Sequence, residues 1–195
     1  MVVSTHSVAG PMSDILLLWS FPLAVAAHNL EEAIWLPRWS VEHAGRWHRP
    51  VSAGAFRFAV SVLTALVFVI AGWAQVGGVG SVGHYLLAAY AVAQALNVAF
   101  PHAVATIATR TYAPGLLSGL FLVLPAAIVL VVRSLAEAQL EPGRFVAVSV
   151  GFILSVVASI PLLFGIGTRL EAAVIRRKDG RQTSPSEDPR RASGA

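Results

Sequence analysis

The sequence predicts an all-α polytopic membrane protein, a compact bundle of five transmembrane helices with the N-terminus outside and the C-terminus inside. Composition is the first observation. Of 195 residues, 56% are hydrophobic and only 12% charged, with a mean hydropathy of +0.70, more apolar surface than a soluble domain of this size needs. The second is the spacing of apolar runs at about residues 15–36, 56–76, 85–108, 116–132 and 145–166, each close to the ~20 residues that cross a bilayer. The third is charge asymmetry. With the C-terminus inside, twelve Lys and Arg residues fall on inner segments and two, Arg133 and Arg144, on outer ones, as the positive-inside rule requires.

Residues 1–14 form a short outer segment. The first run opens with LLLWSFPLAVAA, which imitates a signal-peptide core ending in Ala24-Val25-Ala26. No Lys or Arg precedes it and apolar character continues through Ile34, Trp35 and Leu36, so an uncleaved first helix is expected. Gly77, Gly78, Gly80 and Gly83 lie between runs two and three. They lack the following Lys-Ser/Thr of a phosphate loop and predict a flexible connection. Run three is rich in alanine. Gly115 and Gly119, and Gly151, Ser155 and Ser159, recur every four residues, a spacing that lets helix backbones approach closely. The connections are short, so residues 15–175 make one transmembrane domain. Residues 176–195 are polar, rich in Ser, Pro and Arg, and predict a disordered basic cytoplasmic tail.

The composition also excludes chemistry. There is no cysteine, hence no thiolate metal site, disulfide or cysteine nucleophile. Seven of the fourteen basic residues follow the last apolar run, a pattern of topology or anionic-lipid contact rather than nucleic-acid binding. The expected setting is the plasma membrane, with membrane lipids and a lipophilic small molecule as partners.

Against this background His28-Asn29-Leu30-Glu31-Glu32 is anomalous. One acidic residue at the centre of a membrane helix costs roughly 2.5–3.5 kcal/mol, so such groups mark function. On a helix, His28, Glu31 and Glu32 at i, i+3 and i+4 share a face within about 100° of arc. They suit either a metal or an acid–base group in which two crowded carboxylates push one pKa up. In run three, Tyr90, Gln94, Asn97 and Pro101 form one stripe, followed by His102. Pro101 lacks an N–H, frees the carbonyl of Asn97 and predicts a kink. Asn97 and His102 lie about 12–20 Å of helix before Arg110, at the depth of the His28 to Glu32 segment. Contact between helices one and three would gather His28, Glu31, Glu32, Asn97 and His102 round one cavity. Arg110 and Tyr112 sit in the next inner turn, as interfacial anchors or as a cap on the site. His6, His43, His48 and His84 fall in the tail or loops and are expected to be solvated.

His28, Glu31 and Glu32, then Asn97 and His102, then Tyr112, Pro114 and Gly115, resemble in order the three motifs of the HXXEE-domain membrane proteins, over about residues 16–120. The resemblance implies a membrane enzyme and supports these positions as its site, without supplying a reaction.

The expected function is therefore an integral membrane enzyme acting on an isoprenoid- or lipid-like molecule in the cytoplasmic leaflet. One route is acid–base isomerisation or cyclisation, with Glu31 or Glu32 as proton donor and its neighbour or His28 as base. The other is metal-assisted chemistry with His28, His102 and the glutamates as ligands, a donor set suited to iron, zinc or manganese. The alternative is a proton- or metal-ion-binding transporter or channel component, although the chain shows no inverted repeat.

Overall fold

The computed structural model describes residues 11–43, 50 and 52–182. Among them every regular element is a helix. They are α1 (Pro11–Glu42), α2 (Ala53–Gly77), α3 (Val82–Asn97), α4 (Val104–Thr109), α5 (Leu116–Ser118), α6 (Leu124–Ala136) and α7 (Pro142–Gln182). Wide π-turns at Val98–Ala103 and Gly119–Val123 join α3 to α4 and α5 to α6. Four stretches, Ala53–Gly77, Val82–Thr109, Leu116–Ala136 and Pro142–Lys178, are long and apolar enough to cross a membrane. This is a membrane protein. α1 has the length, at 32 residues, but His28, Asn29, Glu31 and Glu32 dilute its hydropathy.

α2 packs against α1, α3 and α7; α3 also meets α6 and α7; α1 runs beside Gly119–Val123 and α6. The core is formed by Phe21 and Val25 of α1, Val67 and Ala71 of α2, Leu87 and Ala91 of α3, and Val123 with Ala127. α1 runs unbroken through Ala24-Val25-Ala26, with Val25 fully buried. The alanines of α3 act as expected: Ala88, Ala89 and Ala91 are fully buried where neighbouring helices close in.

Several expectations need correction. The glycine-rich connection between α2 and α3 is an ordered turn: Gly78 and Gly80 take φ of 73° and 72°, and Ser81 caps α3 by accepting from the His84 N–H at 3.2 Å. Because α3 begins at Val82, His84 lies inside its first turn and is buried rather than solvated. Its Nε2 lies 2.9 Å from Ser134 Oγ, and its Nδ1 accepts from the Gly80 N–H at 3.2 Å. His43 bridges elements, with its ring stacked on Trp39 and its Nε2 3.0 Å from Thr111 Oγ1. His6 and His48 lie outside the described residues. In the Gly151–Ser155–Ser159 stripe, Gly151 is exposed and a Cβ on it would meet no other element within 4 Å, while the two serines bond their own helix, Ser155 to Gly151 O at 2.8 Å and Ser159 to Val156 O at 2.7 Å. Lastly, α7 continues past Arg176 to Gln182, carried by the helix formers Arg176, Arg177 and Lys178 and running through Gly180. Residues 183–195 lie outside the described ones.

Two contacts set the geometry that the site depends on. Glu171 of α7 accepts from the Ser52 hydroxyl and from the Gly54 N–H (3.2 Å), tying α7 to the start of α2, where Phe56 and Phe164 rings also meet at 6.2 Å. At the other end of α2, a Cβ on Gly83 would lie 2.5 Å from Ala74 N and 2.7 Å from Trp73 C. Gly83→Val should therefore force α2 and α3 apart and cost about 1–3 kcal/mol, read as a lower melting temperature in detergent.

Candidate functional site

Pro101 breaks the third rod as expected. Helical backbone is disfavoured for the residue before a proline, and Phe100 is extended (φ −142°, ψ 112°). The wide turn that results carries His102 inward to meet α1. His102 Nε2 lies 2.7 Å and His28 Nε2 3.7 Å from Glu32 Oε1. The two imidazoles pack edge to face at 5.1 Å between centroids, and Asn97 Nδ2 lies 3.3 Å from each Nε2. All three ionisable groups are buried: His28 is 0%, His102 2% and Glu32 7% exposed. One ligand atom from each lies within 4.8 Å of the others, so this His–Glu–His group could hold a metal ion. A carboxylate this deep requires a charged or hydrogen-bonding partner, and His102 at 2.7 Å supplies it.

Glu31 goes elsewhere. Helix geometry puts it on the same broad face as Glu32, yet its carboxylate accepts from the Gly115 N–H at 2.9 Å, the Ser118 N–H at 3.2 Å, the Ser118 hydroxyl and the Tyr112 phenol. These are the free N–H groups where Leu116–Ala136 begins, and a carboxylate there satisfies them. The expected crowding of two carboxylates at one point is thus replaced by a division of roles: Glu32 faces the histidines and Glu31 caps the next helix. Ser118, which the sequence reading missed, joins the two. Its hydroxyl donates to Glu31 and lies 3.2 Å from His28 Nδ1. With His28 Nδ1–H donating to Ser118, its Nε2 lone pair points toward Glu32 and Asn97; an outer partner of this kind orients metal-binding histidines. Glu31→Ala would strand two backbone N–H groups and should lower stability by about 1–2 kcal/mol, seen as a lower detergent melting temperature.

The Tyr-x-Pro-Gly segment belongs to the same cluster. Tyr112 accepts from the Leu117 N–H at 3.1 Å while donating to Glu31. Burial, then that hydrogen bond, pushes its phenol up to about 12, so it remains a donor at neutral pH. Gly115 has φ 97°, and a Cβ there would lie 2.7 Å from His102 Cε1 and 3.0 Å from His28 Cε1. It is the floor on which both rings rest.

Glu32, Asn97 and His102 open onto a cavity of about 740 Å³ between α1, α2, the broken α3–α4 rod and α7. Tyr90, Gln94 and Pro101, the rest of the predicted stripe, line it too. Tyr90 is a wall rather than a reactive group: its hydroxyl donates to Leu63 O at 2.9 Å and its ring meets Phe152 at 5.2 Å. Asn29, also missed, lines the cavity and ties α1 to α2 through Thr64 Oγ1 at 2.7 Å. Arg110 ends α4 in a left-handed conformation and is exposed at the surface.

Three motifs thus converge from three segments of a helical membrane bundle, and they define a protein class. The chain belongs to the family described as proteins of unknown function with HXXEE motif, whose profile matches residues 19–130. It is 35% identical over 153 residues to the uncharacterized protein YrkK of Bacillus subtilis (strain 168), an alignment that covers 77% of this chain and 94% of that protein. No solved structure matches it.

Proposed function

We propose that this protein is an integral membrane enzyme acting on an isoprenoid- or lipid-like molecule, with a divalent metal held by His28, Glu32 and His102. The observation that carries the proposal is a buried His–Glu–His group opening onto a cavity whose walls are mostly apolar. Two imidazoles and one carboxylate are a donor set used for catalytic zinc and for non-haem iron, with manganese less well matched. A metal there would act as a Lewis acid on an oxygen of the substrate. Asn97 would orient the bound molecule, and Ser118 with Glu31 would hold His28 in the required tautomer.

One contact favours a second reading. His102 and Glu32, 2.7 Å apart, form a pair able to give and accept a proton without a metal, as isomerisation or cyclisation requires. An apolar cavity suits either chemistry better than it suits the ion path of a transporter. In this proposal α1 is the fifth span, the N-terminus is outside, the C-terminus inside, and the protein resides in the plasma membrane.

The test is the metal content of detergent-purified protein, wild type against His28→Ala and His102→Ala, with conversion of candidate lipids followed in parallel. Metal present in the wild type and lost from both variants supports the metal enzyme. Metal-free protein that converts a lipid only when both histidines are present supports proton transfer. Folded variants that match the wild type in both measurements overturn the proposal.

A further inference from the structure

The cavity is lined by aromatic rings toward its two ends and bordered at its side by exposed apolar residues. Toward the α2–α3 turn it is plugged by Tyr90, held between Phe21 and Phe152 at centroid distances of 6.2 and 5.2 Å. Toward the opposite face its lining includes Trp39 and His43, stacked ring on ring, with His43 linked to Thr111. The side is different. Leu96, Phe100 and Val104 line the cavity from the broken rod, Val157 and Ile160 line it from α7, and all five are also exposed, Phe100 at 70%.

The cause lies in the two helices that flank the gap. α3 and α7 meet near Tyr90 and Phe152. Beyond that point the extended backbone at Phe100 redirects α4, while α7 is drawn onto α2 through Phe56, Ala55 and Glu171. The two rods diverge into a fork. The fork lies in the middle of helices apolar enough to span a bilayer, so the medium that meets Phe100 and Val157 is hydrocarbon.

We infer that a single-chain amphiphilic lipid enters sideways from the bilayer through the fork between α4 and α7. Its apolar chain lies along Phe100, Val104, Val157 and Ile160, and its functional end reaches Glu32, Asn97 and His102. This rests on the lipid-transforming role proposed above and adds the route and orientation of the substrate. A chain in this position keeps contact with hydrocarbon throughout and exposes only its polar end to the buried polar group, so no polar atom is left unpartnered.

Photolabelling tests it. Purified protein in phosphatidylcholine vesicles receives a trace of a fatty acid with a diazirine close to its carboxyl end, which on irradiation loses nitrogen and inserts into adjacent C–H bonds. Labelling of Leu63, Phe152 or Val156 inside the cavity is expected, suppressed by excess unlabelled fatty acid. Val156→Trp, which narrows the cavity beside Phe152 and Ile160, should lower this labelling. Label confined to outward residues such as Val150 and Leu154, with no competition, overturns the inference, and the wild-type competition decides even if Val156→Trp does not fold. The two proposals fail separately: cavity labelling in a protein without metal or turnover keeps the route and removes the enzyme, whereas metal binding or turnover without cavity labelling does the reverse.

Discussion

Glu32→Gln should remove metal from the purified protein, abolish lipid conversion and lower the melting temperature, because a metal bound only by the folded state stabilises it. The substitution preserves shape and keeps an oxygen that can accept from His102, now 2.7 Å from Glu32 Oε1. It removes the one negative charge of the His–Glu–His group. Changes one layer outside a metal typically cost about 10–100-fold in affinity, so loss of a ligand should cost more than about 100-fold. Removing one member of a buried pair also leaves its partners without their counter-charge, so a loss of stability accompanies the loss of metal. Metal analysis by mass spectrometry together with a thermal melt checks both halves. Full metal occupancy in the variant would remove Glu32 from the ligand set.

Gly115→Ala should be nearly as damaging to function and more damaging to stability. At φ 97° an alanine is strained by about 1–2 kcal/mol. The new Cβ would also lie 2.7 Å from His102 Cε1 and 3.0 Å from His28 Cε1. Both rings are buried and cannot swing out to solvent, so the clash must displace them from Glu32. The expected result is a lower melting temperature and at least a roughly tenfold weaker metal affinity, as a displaced ligand would give. Adding His102→Ala to Gly115→Ala should restore part of the stability, because the contact is shared, and none of the metal binding. An unchanged melt in Gly115→Ala would show that the loop can move away.

Most of this arrangement can be read along the chain, because hydropathy and helix periodicity act locally. The apolar runs mark the rods. Asn97 and His102 could be placed level with His28 by counting residues from Arg110. Pro101 announces its own break. What could not be read depends on partners distant in sequence. Glu31 and Glu32 stand about 100° apart on an ideal helix, but which of them meets the histidines is decided by Gly115 and Ser118, more than 80 residues on, which present N–H groups to Glu31. His84 looked solvated beside the glycines, yet Ser134, 50 residues away, gives it a buried partner. Helix ends were underestimated for a related reason: Arg38 and Glu42, paired at 2.7 Å, carry α1 beyond its apolar stretch, and hydropathy does not register such pairs.

α7 occupies an unusual place in this plan. It supplies Phe152, Val156, Ile160 and Phe164 to the cavity wall but none of the residues at the Glu32 group, and it begins at Pro142, beyond the family match at residues 19–130. One wall of the cavity can therefore change without touching His28, Glu32 or His102. If the proposed activity holds, a chimera with the last helix of a relative should alter which lipid is accepted and keep metal binding at that group.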